Sequence, residues 1–227
     1  MKKDVLYSAS IMCANLLRVE DDLAALEAAG CDELHFDVMD GRFVPNITLG
    51  FDFIKAVCSR TSLPCSAHLM IERPERYIER FVEAGCQGVT VHVEACTHAH
   101  RVLNQIKATG ASPGIAINPA TALTKLDYLL DSAERVLVMA VDPGFAGQTL
   151  LKGTFDRVRI LHENLQYRKL DARIEVDGNI TVRNAAILAN LGASILDCGT
   201  ASIFDGRHPG EALADFREKV AQERKIV

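Results

Sequence analysis

The sequence lacks an excess of positive charge. Its 227 residues carry a formal net charge of -5, so the basic patch that recruits nucleic acid or an anionic membrane is not expected. No apolar run approaches the length of a membrane span. The start, Met-Lys-Lys-Asp, reads as leading straight into a strand, with no secretory signal. No Cys-x-x-Cys occurs, and the seven cysteines (Cys13, Cys31, Cys58, Cys65, Cys86, Cys96, Cys198) are odd in number and scattered. They read as reduced thiols, packed mostly as small hydrophobes, which points to the cytoplasm. Tryptophan is absent, aromatics are few, and no linker, low-complexity segment or charge block marks a second domain. What remains, 48% hydrophobic and 24% charged, is an ordinary globular composition, expected as one domain over residues 1–227.

One local pattern recurs. An amphipathic stretch ends in glycine and an apolar strand follows, at Glu27-Ala-Ala-Gly30, Glu83-Ala-Gly85, Ala108-Thr-Gly110 and Asn190-Leu-Gly192. Glycine just past a helix end is the left-handed cap. Strands are predicted over 7–12, 33–38, 65–70, 89–93, 114–117, 135–141, 173–177 and 194–198. Helices are predicted near 18–29, 51–59, 74–84, 99–109, 122–131, 152–166, 181–191 and 210–223. Strand and helix alternating in this way make an α/β fold, a (β/α)8 TIM barrel in a single domain. The rival, an open doubly wound sheet, lacks its Gly-x-Gly-x-x-Gly after the first strand, where Ser10-Ile-Met-Cys-Ala-Asn15 stands.

In such a barrel, chemistry collects at the C-terminal strand ends. The stretch Glu33-Leu-His-Phe-Asp-Val-Met-Asp-Gly41 carries Leu34, Phe36 and Val38 on one face, with His35 and Asp37 on the other. His68 ends the third strand and Asp177 the seventh. Two imidazoles and two carboxylates at inward, C-terminal positions form a candidate metal site, suited to Zn, Fe, Mn or Co rather than Ca. Each alone reads as a satisfied core group; the four together do not. His92 competes as a ligand, and its neighbour Glu94 reads as a loop-entry charge. Glu175, deeper on the strand of Asp177, reads as a hydrogen-bonding neighbour.

Asp37 and Asp177 can face each other across the mouth, which is the geometry of two-base proton transfer at one carbon. A carboxylate is a weak base for a C–H bond. The carbon must therefore adjoin a carbonyl whose developing enediolate charge is stabilised, here by a metal. Glycine-rich loops follow strands 6, 7 and 8: Pro143-Gly-Phe-Ala-Gly147, Gly178-Asn179 and Gly199-Thr-Ala-Ser202. Exposed backbone N–H groups in such turns cradle phosphate, and no Lys/Arg-rich loop competes. Met12 and Met139 read as core, while Met39 and Met70 sit where they can shield an enediolate from water.

Together these residues resemble the ribulose-phosphate 3-epimerase family over nearly the whole chain. The matching stretches are Leu34-His-Phe-Asp-Val-Met-Asp-Gly-Arg-Phe-Val-Pro-Asn46, Ala67-His-Leu-Met70, Val91-His-Val-Glu94, Asn118-Pro-Ala-Thr121, Asp142-Pro-Gly-Phe-Ala-Gly-Gln148 and Glu175-Val-Asp-Gly178. The resemblance implies one divalent metal ion (Zn, Fe, Mn, Co or Mg) held by His35, Asp37, His68 and Asp177. It implies Asp37 and Asp177 as the paired acid and base, with Ser10 and His68 touching a phosphorylated ketose. Gly144, Phe145, Ala146, Gly147, Gly178, Asn179, Gly199, Thr200 and Ala201 would line the substrate and its phosphate. It also implies a homo-oligomer, either dimer or hexamer. The Met12-Cys13 pair, the loop from Asp142 to Gln148 and the Gly199-Thr200 loop look more like the allulose-6-phosphate 3-epimerase branch. D-Allulose 6-phosphate is therefore expected ahead of D-ribulose 5-phosphate. The other readings are a phosphate-binding barrel lyase, for which no strand-end Asp-x-Lys-x-x-Asp or Schiff-base lysine stands ready, and a barrel that binds sugar phosphate without catalysis.

Overall fold

Strand β2 (Glu33–Met39) shows how the chain builds its frame. Leu34 and Phe36 are fully buried and, with Val38, join the apolar core beneath the helices. His35 and Asp37 take the other face, as alternation along an extended strand requires. The computed structural model describes residues 5–227. The start Met1–Asp4, which bears on the absence of a secretory signal, lies outside the described residues. The same inside–outside division runs through β1 (Leu6–Ser10), β3 (Cys65–Met70), β4 (Gly88–His92), β5 (Ser112–Ile117), β6 (Arg135–Met139), β7 (Arg173–Asp177) and β8 (Ile195–Cys198). These strands close into a barrel in sequential order, and β8 pairs parallel with β1.

A parallel barrel must have its outer face covered. Seven α-helices do so among the described residues: α1 (Val19–Ala28), α2 (Phe51–Cys58), α3 (Ile78–Glu83), α4 (Ala99–Ala108), α5 (Gly153–Arg168), α6 (Val182–Asn190) and α7 (Pro209–Glu223). The α6–β8 turn depends on Gly192, at φ +113°, where a Cβ would meet the His162 ring at 2.3 Å. None of the helices is long and apolar enough to cross a membrane.

The helix predicted over 122–131 is instead a 3-10 turn at Leu123–Leu126 followed by further turns. Leu126, Leu129 and Leu130 are buried, as the apolar spacing demands. However, Arg168 of α5 takes the Asp127 carbonyl at 2.7 Å, and Arg157 takes that of Thr121. Capture of these carbonyls by arginines leaves i→i+3 bonding in their place. Strand β1 likewise ends at Ser10, short of Met12, because residues 11–13 wind into a 3-10 turn closed by Ala14 N–H on the Ile11 carbonyl.

Inside the barrel runs a column of polar side chains. At its base the Arg135 guanidinium donates to both oxygens of Glu33, at 2.6 and 2.7 Å. It also reaches Ser66 Oγ at 3.2 Å and Glu175 at 3.3 Å. Above this tie, strand register sets Ser10 beside His35, Asp37 beside His68, and Asp177 beside Asp197.

Candidate active site

His35 Nε2 and His68 Nδ1 each lie 3.1 Å from the same oxygen, Asp37 Oδ1. Adding one oxygen of Asp177 gives four donor atoms that all fall within 4.8 Å of one another. Bonds of about 2.0–2.2 Å from a common cation place neighbouring donors roughly 3 Å apart. The residues present therefore fit a divalent metal, with two neutral nitrogens and two carboxylates as its donor set. The other Asp37 oxygen accepts from Ser10 Oγ at 2.7 Å, which fixes the plane of the carboxylate.

His92 lies behind this cluster, outside the ligand group. Its Nε2 is 2.8 Å from His68 Nε2, and its Nδ1 is 3.3 Å from Glu94. If His68 Nδ1 is to face a cation, its Nε2–H must donate to His92, and the His92 Nδ1–H must then donate to Glu94. The chain Glu94–His92–His68 thus orients the His68 ring. Burial opposes charge on Glu94, but His92, Thr121 and the Asn118 N–H hold its carboxyl at about 2. It is an anchor rather than a simple loop-entry charge.

The two central carboxyls are pushed apart. Burial opposes the ionisation of Asp37, yet His35 and His68 hold it well below the usual carboxylate range. Burial and the facing charge of Asp37 push Asp177 up to about 7. Burial and the neighbouring His92 lower His68 to about 4, which keeps its ring neutral. Divergent pKa values in a facing pair are what acid and base roles require. Glu175 accepts from Arg135, as its depth on β7 led us to expect, and lies 3.3 Å from His35 Nδ1.

Ser10, Asp37 and Asp177 line an open cleft at the C-terminal strand ends. The loop residues Gly144, Phe145, Ala146, Gly147, Gly178, Asn179, Gly199, Thr200 and Ala201 all lie on its wall. Asn179 enters the left-handed region at φ +52°, a conformation open to asparagine. The Gly199 carbonyl accepts from the N–H groups of Ser202, Ile203 and Phe204, so a tight turn presents Thr200 and Ala201 to the cleft. His35 and His68 are not on the wall: their side chains are 1% and 0% exposed. His68 thus sits behind Asp37 rather than along the cleft surface. All four methionines at the strand ends line the cleft, so Met12 and Met139 belong to its collar and not only to the core. Asp197 at the cleft floor escaped the sequence reading. Its signal was an acidic residue at an inward position of an otherwise apolar strand.

Residues 6–204 match the family model described as Ribulose-phosphate 3 epimerase family. The chain is 41% identical over 218 residues to ribulose-5-phosphate-3-epimerase, chloroplastic, of Arabidopsis thaliana, spanning 95% of this chain and 77% of that protein. It is 38% identical over 228 residues to ribulose-phosphate 3-epimerase of Synechocystis sp., spanning 100% and 99%. Among solved structures, KGPDC from Streptococcus mutans superposes with a TM-score of 0.69 over 97% of this chain and 99% of that one, at 12% identity. That likeness is one of fold alone.

Proposed function

The chain belongs to the ribulose-phosphate 3-epimerase family and is an isomerase of a phosphorylated ketose, and from that premise we propose that it interconverts D-ribulose 5-phosphate and D-xylulose 5-phosphate by inversion at C3. The observation that carries the mechanism is the Asp37–Asp177 pair. Their oxygens approach within 4.8 Å at the cleft floor, one carboxyl held ionised and the other raised to about 7. The relatives named above are ribulose-phosphate enzymes, which favours the pentulose over the hexulose expected from the loops. The departures in the loops after β6 and β8 are then variation within a pentulose-phosphate site.

His35, Asp37, His68 and Asp177 would hold the divalent cation, of the Zn, Fe, Mn or Co type by their mixed nitrogen and oxygen donors. When bound, it supplies electrostatic stabilisation of the negative charge that builds on the ketose oxygens. Asp37, kept ionised, removes the C3 proton from one face, and Asp177 returns a proton to the other. The roles exchange for the reverse direction. Ser10 keeps Asp37 aimed through the 2.7 Å hydrogen bond to its second oxygen. Met12, Met39, Met70 and Met139 keep water from the carbanionic carbon. Backbone N–H groups of the loops after β6, β7 and β8 hold the phosphate. All seven cysteines are free thiols, which supports a cytoplasmic location.

The test is C3 proton exchange in deuterated water by metal-loaded protein, with ribulose 5-phosphate and allulose 6-phosphate side by side. Faster deuterium entry into the pentulose is expected. Faster entry into the hexulose would restore that substrate, and exchange into neither would overturn the activity.

A further inference from the structure

Both imidazoles of the ligand cluster need something behind them, and behind His35 stands a carboxyl group from β8. We propose that Asp197 is a positioning residue that clamps His35 through Nδ1, so that Nε2 is the nitrogen presented to the metal. This rests on the ligand set proposed above and extends it to a group outside that set. On the side of the ring away from Asp37, His35 Nδ1 is 3.3 Å from Asp197 Oδ1 and 3.3 Å from Glu175 Oε1. The two carboxylates are not equivalent. Glu175 is engaged by Arg135, which lies 3.3 and 3.4 Å from its two oxygens. Asp197 is 2% exposed, and neither its oxygens nor His35 Nδ1 has a hydrogen-bond partner among the described residues, so the two unsatisfied groups face each other at 3.3 Å.

A buried carboxylate with no partner is costly. Valine would fill the same space on β8 without that cost, and the one donor the carboxyl group faces, His35 Nδ1, explains its presence. Parallel register brings Asp197 beside Asp177, and this delivers the carboxylate to the level of the ligand cluster from the neighbouring strand. His35 thereby has the kind of support that His92 and Glu94 give His68: an acceptor on the far ring nitrogen that fixes both tautomer and rotation.

The experiment compares wild type, Asp197→Val and Asp197→Asn for Zn²⁺ affinity, by chelator competition without substrate, and for melting of the metal-free protein. Asp197→Val should weaken Zn²⁺ binding about 10–100-fold while the metal-free variant still melts cooperatively. Asp197→Asn keeps a carbonyl acceptor and should recover most of the affinity. Unchanged Zn²⁺ affinity in Asp197→Val would overturn the role. So would two Zn²⁺ per wild-type chain, with His35, Glu175 and Asp197 as the second site. Should Asp197→Val not fold, the Zn²⁺-loaded wild type still decides: nitrogen-15 spectra should show a slowly exchanging proton on His35 Nδ1, and an unprotonated Nδ1 would refute the clamp. Absence of Zn²⁺ binding by the wild type would instead overturn the ligand set itself.

Discussion

At the scale of the residue, the site is governed by which groups can hold a proton in a buried polar column. Asp177→Asn removes the acid while keeping size and a hydrogen-bonding group. Turnover should fall by at least about 10²–10⁴-fold while sugar-phosphate binding persists in a calorimetric titration; unchanged turnover would sink the two-base scheme. The raised groups also set a pH dependence. The Asp177 carboxyl is raised to about 7, and His35 is raised well above its ordinary value because Asp197 and Asp37 outweigh its burial. A group raised in the folded state stabilises most below its unfolded pKa, and that contribution is lost as pH rises through the folded value. The metal-free protein should therefore melt progressively lower from about pH 5 to 8. Metal should remove that slope, since both groups give up their protons to bind it. A flat metal-free profile would contradict the assignment. His35, Asp37, His68 and Asp177 were legible in the sequence because each is a metal-ligating type at an inward strand position. His92 was not separable from them, because only the 2.8 Å contact with His68 shows that it stands behind.

At the scale of the element, the barrel is tied across its axis by charge. Arg135 on β6 reaches Glu33 on β2 and Glu175 on β7. Removing one member of a buried ion pair leaves the others uncompensated, at a cost of about 3–5 kcal/mol. Arg135→Met should lower the denaturation midpoint accordingly, and adding Glu33→Leu should recover part of the loss. If Arg135→Met were as stable as wild type, the tie would be incidental. This pairing could not be read beforehand, since Glu33 and Arg135 are 102 residues apart and each looks like an ordinary strand-start charge. The predicted helix over 122–131 failed for a related reason: arginines from α5, far along the chain, take the carbonyls a continuing helix would use.

At the scale of the whole molecule, closure of the sheet brings β2, β3 and β7 to one mouth and leaves several large apolar side chains outside. Leu17 is 96% exposed, Tyr128 92% and Ile47 78%, and the homo-oligomer expected from the family resemblance is a separate matter of mass in solution. Light scattering should give a mass at two or six times the 24.8 kDa chain; a monomer at micromolar concentration would contradict it. The barrel was legible along the chain, because helix, glycine and apolar strand recur and a parallel sheet with these alternations must be covered on its outside. The inward His35, Asp37, His68 and Asp177 and the glycine turns after β6, β7 and β8 were legible as well, because strand alternation and glycine turns are local. How these groups share protons depends on contacts between distant strands. Register and barrel closure place Asp197 behind His35, His92 behind His68 and Arg135 between two acids, and burial then turns those few ångströms into the pKa differences on which acid–base chemistry runs.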